Sequence, residues 1–161
     1  MSHSTLVSAE TLASHLGQPG WVVVDCRHQL DDPEAGAAAW ARGHIPGAGH
    51  AHLENDLSGR GRPASEGRHP LPGEADFAAL LGRLGVGPED QVVAYDAAGG
   101  AMAAARFWWL LRLFGHPSVA VLDGGLPRWQ ALGLPLDTTG PRAKPAYPGR
   151  FDRQALVDTD A

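Results

Sequence analysis

The segment Tyr95-Asp96-Ala97-Ala98-Gly99-Gly100-Ala101-Met102 joins an apolar run to a long apolar stretch. Its small residues let the backbone curl so that several N–H groups point inward. The N-terminal end of a following helix would add partial positive charge. A cysteine at the head of such a loop would become a reactive thiolate. Asp96 would also be stabilised there as an anion, but a carboxylate does not supply the thiolate nucleophile. The spacing equally admits a plainer role, in which Asp96 caps the helix and contributes about 0.5–2 kcal/mol.

Histidines supply the next candidates. His69, in Arg68-His69-Pro70-Leu71-Pro72, has the near-neutral titration suited to acid–base work. It could as well be a loop histidine bonded to backbone. His50 and His52 alternate, so on one strand they would face the same side, as metal ligands can. No third ligand follows at suitable spacing, so neither a metal site nor a cofactor is expected. Cys26 closes a β-branched run and reads as a small buried hydrophobe. Asp25 and Arg27 are placed to form a buried ion pair. Trp108, Trp109 and Trp129 fall in helical segments and read as core packing.

These groups need a scaffold, and the apolar periodicity supplies one. Runs of β-branched or apolar residues at 21–25 (WVVVD), 91–95 (QVVAY) and 118–122 (SVAVL) read as buried strands, with a further short strand at 51–53. Helices are expected at 9–16 behind Ser8 as N-cap, and at 34–42, 74–84, 101–114 and 125–132. Residues 60–73, dense in Gly, Pro and Arg, read as loop. Alternation of strand and helix implies an α/β fold: an open parallel sheet with helices on both faces. Residues 1–137 would form this domain. Residues 138–161, punctuated by Pro141, Pro145 and Pro148, read as a Pro-rich linker and the start of a further domain.

Composition sets the outer limits. A chain of 161 residues has room for one domain with a core. A net charge of −5 without a basic cluster argues against nucleic acid and anionic membranes as partners. The single cysteine fits a reducing compartment, and no stretch reads as a signal peptide or a membrane span, so the cytoplasm is the expected location.

Six segments together resemble a known family: VVVDCR at 22–27, GHIPGA at 43–48, RHPLP at 68–72, VVAYD at 92–96, RFWW at 106–109 and LDGGLPRW at 122–129. Their order and spacing are similar to the N-terminal rhodanese-like domain of two-domain thiosulfate and 3-mercaptopyruvate sulfurtransferases. The resemblance implies that the persulfide-forming cysteine belongs to a C-terminal rhodanese domain absent from this chain. That domain and a small sulfur-donor substrate are then the expected partners. Asp96 stands at the position of the lost nucleophile. The resemblance further implies that His69 and an acidic residue complete a Ser-His-Asp relay whose serine lies in the other domain. The acidic position falls at Glu54, a departure from Asp, with Asp56 as a rival. Leu156-Val157-Asp158 is similar to the opening of the second domain. The expected function is therefore the non-catalytic half of an enzyme moving sulfane sulfur to cyanide or a thiol. The alternatives are a stand-alone interaction or anion-binding module, and a phosphatase of related fold. The phosphatase would need a loop Cys and a closing Arg, whereas this loop offers Asp96 and, near its far end, Met102 with no Arg until Arg106.

Overall fold

A computed structural model describes residues 2–59, 61 and 63–157. Five parallel strands form one sheet in the order β1-β5-β4-β2-β3: β1 Leu6–Val7, β2 Trp21–Asp25, β3 Gly49–His50, β4 Gln91–Tyr95 and β5 Val119–Leu122. The helices are α1 Ala9–His15, α2 Ala35–Arg42, α3 Glu74–Arg83, α4 Ala103–Leu113 and α5 Gly125–Ala131. Ser8 caps α1 as expected, accepting the amide of Thr11 at 3.1 Å.

Side-chain alternation along the strands divides the core in two. Val24, Val92, Ala94, Val119 and Val121 pack with Phe77, Leu80 and Leu81 of α3 and Phe107, Leu110 and Leu111 of α4. Val23, Val93, Tyr95, Ala120 and Leu122 pack with Ala9 and Leu12 of α1 and Leu126 and Trp129 of α5. The helices thus cover both faces of the open parallel sheet.

Three local expectations shift. The third strand in the chain is Gly49–His50, not residues 51–53: the Ala51 N–H makes the closing ladder bond to Asp25 O, and the next amide, His52 N, turns away to the Asp56 carboxylate. The edge strand β1 is too short to leave a periodic signal. Of the tryptophans, Trp129 is fully buried, Trp108 is half-buried with Arg112 over its ring, and Trp109 is 41% exposed.

The segment read as a linker stays on the domain. His44 holds the carbonyl oxygens of Trp40 and Thr139. Lys144 pairs with Asp90 at 2.6 Å. Tyr147 and Phe151 are buried against Phe114 and Phe77. Apolar content there is low, but its two aromatic rings both point inward. A single 3-10 turn follows at Arg153–Ala155; residues 158–161 lie outside the described part.

Candidate active-site cleft

Asp25, Cys26, Arg27, His50, His52 and Asp96 lie at or just past the carboxyl ends of β2, β3 and β4, where open parallel sheets place their ligands. A buried network fixes this edge. The Asp25 carboxylate accepts from Arg27 N, Nε and Nη2 at 2.8, 2.9 and 2.6 Å, and from the Tyr95 hydroxyl at 2.8 Å. Arg27 also donates to Gly43 O, and Ile45 N donates to the Tyr95 oxygen. Burial and the neighbouring Asp25 charge push the Tyr95 phenol far up, so it serves only as a hydrogen-bonding group. The ion pair read from sequence is therefore the strut that ties β2 to β4 and to the end of α2.

Beyond Tyr95 the chain enters the small-residue loop. The Asp96 carboxylate, 2% exposed, turns back into it. One oxygen accepts the amides of Ala98 (2.9 Å) and Gly100 (2.8 Å). The other accepts those of Met102 (3.3 Å) and Ala104 (3.2 Å). The loop does converge its amides on an anion, and that anion is its own aspartate. Capping and cradling, two separate readings of the sequence, are one arrangement. The helix starts at Ala103, two residues later than expected, because Ala101 and Met102 are spent closing the cradle. Two glycines are required. Gly100 has φ 87°, and a Cβ there would meet Val121 Cγ1 at 2.4 Å. A Cβ on Gly125 would meet Asp96 O at 2.7 Å, so the DGG turn is what lets α5 approach the loop.

Cys26 and His28 lie beneath this loop and line a cavity of about 130 Å³ with Leu53, Asp96, Ala97, Ala98, Met102 and Ala103. Cys26 is fully buried, and burial followed by the charge of Asp25 pushes its thiol well up, away from the thiolate. Both ring nitrogens of His28 are shut off from solvent and have no hydrogen-bond partner among the described residues.

A second cavity, about 250 Å³, is lined by Glu54, Asn55, Ser58, Arg68, His69 and Pro70 together with Gly59, Gly61 and Gly67. It brings His69 and Glu54 to one place. They are not hydrogen-bonded to each other; the Nδ1 of His69 is buried and unpartnered among the described residues. Burial lowers the His69 pKa, Arg106 and Arg68 lower it further, and Glu54 opposes them. Asp56 points elsewhere: its carboxylate accepts His52 N at 2.8 Å and pairs with Arg83 at 3.1 Å. Of the two acidic residues, Glu54 is the one that shares the cavity with His69.

Arg106 was missed as a site residue. From α4 it donates Nε to Leu57 O at 2.8 Å and Nη2 to His69 O at 2.9 Å and Pro70 O at 3.2 Å. It thereby pins the backbone of His69 over the helix. The available signal was an arginine in the first turns of the apolar stretch AAARFWWLLRL, away from the helix C-terminus where Arg112 is expected. His50 and His52 are not a ligand pair. His50 Nε2 donates to Arg27 O and His52 Nε2 to Pro33 O. Among the described residues no group of three or more His, Cys, Asp or Glu is arranged to hold a metal ion.

The family model for the rhodanese-like domain matches residues 8–132. The chain is a rhodanese-like domain. It is 44% identical over 160 residues to a probable 3-mercaptopyruvate sulfurtransferase of Pseudomonas aeruginosa, covering 98% of this chain and 56% of that protein. To the 3-mercaptopyruvate sulfurtransferase of Homo sapiens it is 40% identical over 150 residues, 88% of this chain and 48% of the human protein. Among solved structures, the 3-mercaptopyruvate sulfurtransferase from Leishmania major superposes with a TM-score of 0.84 at 30% identity, over 98% of this chain and 43% of that one. SseA from Escherichia coli gives 0.82 at 33%, over 98% and 60%. The rhodanese-like domain thus spans about half the length of the curated relatives it matches, which are sulfurtransferases. No helix among the described residues is long and apolar enough to cross a membrane.

Proposed function

We propose that this domain is the N-terminal, non-catalytic half of a two-domain sulfurtransferase that moves sulfane sulfur from thiosulfate or 3-mercaptopyruvate to cyanide or a thiol. The observation that carries the reading is the pairing of a self-filled loop with a shared cavity. Asp96 occupies the amide cradle and offers no nucleophile. Beside it, His69 and Glu54 line an open cavity, with one buried imidazole nitrogen unpartnered.

A C-terminal rhodanese domain would bring the loop cysteine, and in the mercaptopyruvate type a serine, to this cleft. His69 would then take or return the proton of that hydroxyl, with Glu54 favouring the charged ring. Arg68 and Arg106 give the cleft positive charge, which suits a small anionic sulfur donor. In this reading the segment after residue 137 seats on this domain through Tyr147 and Phe151, and the second domain would follow it. The single, buried cysteine agrees with a cytoplasmic, reducing location. An independent anion-binding module is the weaker alternative, because the carboxylate of Asp96 already takes the four loop amides.

The test is turnover. The purified chain, given thiosulfate and cyanide or 3-mercaptopyruvate and a thiol, should release no thiocyanate, sulfide or pyruvate above background. A rate in the ordinary enzymatic range overturns the proposal. In the full-length gene product, His69→Ala and Glu54→Gln should each lower kcat/KM with mercaptopyruvate, and unchanged rates would remove these residues from the mechanism.

A further inference from the structure

The carboxylate of Glu54 makes no hydrogen bond or ion pair with any described residue, so nothing at its own tip holds it in the cavity. Its position is set by the turn from His52 to Leu57, and one residue organises that turn. His52, 5% exposed, receives the amides of Asp56 and Leu57 on its carbonyl oxygen at 2.8 and 3.0 Å. Its own amide donates to the Asp56 carboxylate at 2.8 Å. Its ring Nδ1 accepts the amides of both Glu54 and Asn55, each at 3.1 Å. Nε2 donates to Pro33 O at 2.7 Å and anchors the ring to the segment before α2. The ring packs edge-to-face against His28 and His50, with centroids 5.3 and 6.3 Å away.

We propose that His52 is the positioning residue for Glu54: its imidazole, held as the Nε2–H tautomer, caps the turn that delivers the Glu54 carboxylate to the cavity beside His69. Two amides converging on Nδ1 require a bare nitrogen there, and the Pro33 carbonyl requires a proton on the other. The ring does what an asparagine or aspartate does in an Asx turn. A phenyl ring of similar size would keep the packing and lose the acceptor, while Asn would keep an acceptor near the place of Nδ1. The inference deepens the reading of His69 and Glu54 as partners, but it is tested without turnover.

The experiment follows the imidazole titration of His69 by NMR in the wild-type chain and in His52→Asn, His52→Phe, Glu54→Gln and the double variant His52→Phe/Glu54→Gln. Among the described residues the groups that face His69 are Arg68, Arg106, Glu54 and the neighbouring imidazole of His28, and of these only Glu54 favours its protonation. Glu54→Gln should lower the midpoint, His52→Phe should lower it equally, His52→Asn should leave it in place, and the double variant should match Glu54→Gln alone. In His52→Phe the amides of Glu54 and Asn55 should exchange with solvent faster by roughly tenfold, as expected for a lost hydrogen bond. A His69 midpoint unmoved by His52→Phe but lowered by Glu54→Gln overturns the proposal. So does an equal further drop in the Glu54→Gln background, which would mean that His52 acts on His69 directly. If Glu54→Gln leaves His69 unmoved, the His69–Glu54 pairing itself falls. The two amides then decide on His52 alone, and unaltered exchange in His52→Phe overturns its role.

Discussion

Asp96 Oδ2 stands 3.2 Å from the amide of Ala104, so the residue just past β4 also caps the helix that follows, reaching an amide eight positions ahead. An ordinary N-cap reaches two or three residues along the chain. Here the intervening loop is folded inside the reach of one carboxylate, and its two oxygens satisfy four amides.

Asp96→Ala leaves those amides facing an empty cradle. The loss should be about 2–3 kcal/mol, above that of a simple cap, because Ala104 and Gly100 are buried and water replaces the carboxylate poorly. Urea denaturation of the chain measures it, and a loss below about 0.5 kcal/mol would mean that the loop does not depend on its anion.

Asp96→Cys places a thiol among the same donors and the N-terminal end of α4. Its pKa should fall below the free value of about 8.5. Alkylation rate against pH reads this directly, and the wild-type chain is the control, since Cys26 is buried and its thiol is pushed up. A midpoint at or above the free value would show that the loop has lost its anion-stabilising geometry.

His28→Phe should stabilise the chain at pH 7.5 by on the order of 1 kcal/mol, since it removes two shielded ring nitrogens that have no partner and keeps a ring of similar shape. It should also weaken the dependence on acid. Burial lowers the pKa of His28, His50 and His69 in the folded chain. The unfolded state then binds more protons once the pH drops below about 6.5, and stability falls from there toward the folded values. Denaturation midpoints at pH 7.5 and 5.5 should differ less in His28→Phe than in wild type; an equal difference would clear His28 of the effect.

Arg68→Gln removes a positive neighbour of His69 and should raise the His69 titration midpoint, by NMR, without altering the fold. A lowered midpoint would contradict the sign of the interaction.

Truncation after residue 137 should destabilise the domain severely. Phe151 and Tyr147 would leave the core, and His116 would lose the Tyr147 hydroxyl at 2.8 Å on its buried ring. Phe151→Ala alone should cost about 3 kcal/mol by thermal or urea denaturation. Loss of less than about 1 kcal/mol on truncation would mark the segment as a free linker.

The sheet was legible because its central strands are short valine-rich runs, and the helices because residues such as Phe77, Leu80, Leu81 and Leu84 fall on one face. The loop was legible as a chemical type, since only small residues allow such a turn. What escaped was long-range. Nothing local says that Arg106 reaches the carbonyls of His69 and Pro70, or that Asp56 turns to His52 and Arg83 and leaves Glu54 to the cavity. The tail escaped for a related reason: two aromatic residues in a polar, proline-punctuated segment show no period, yet they suffice to seat it.

The pairing of Leu6 with Val121 has a bearing on synthesis. Among the described strands, the first in chain order pairs with the last, β5. Until β5 emerges, β1 has no ladder to join and the edge of β5's partner sheet is incomplete. Such sequence-distant closure slows folding and leaves apolar strands uncovered in the nascent chain. Chaperone demand during translation should therefore concentrate on the interval before β5 and the Tyr147–Phe151 segment are available.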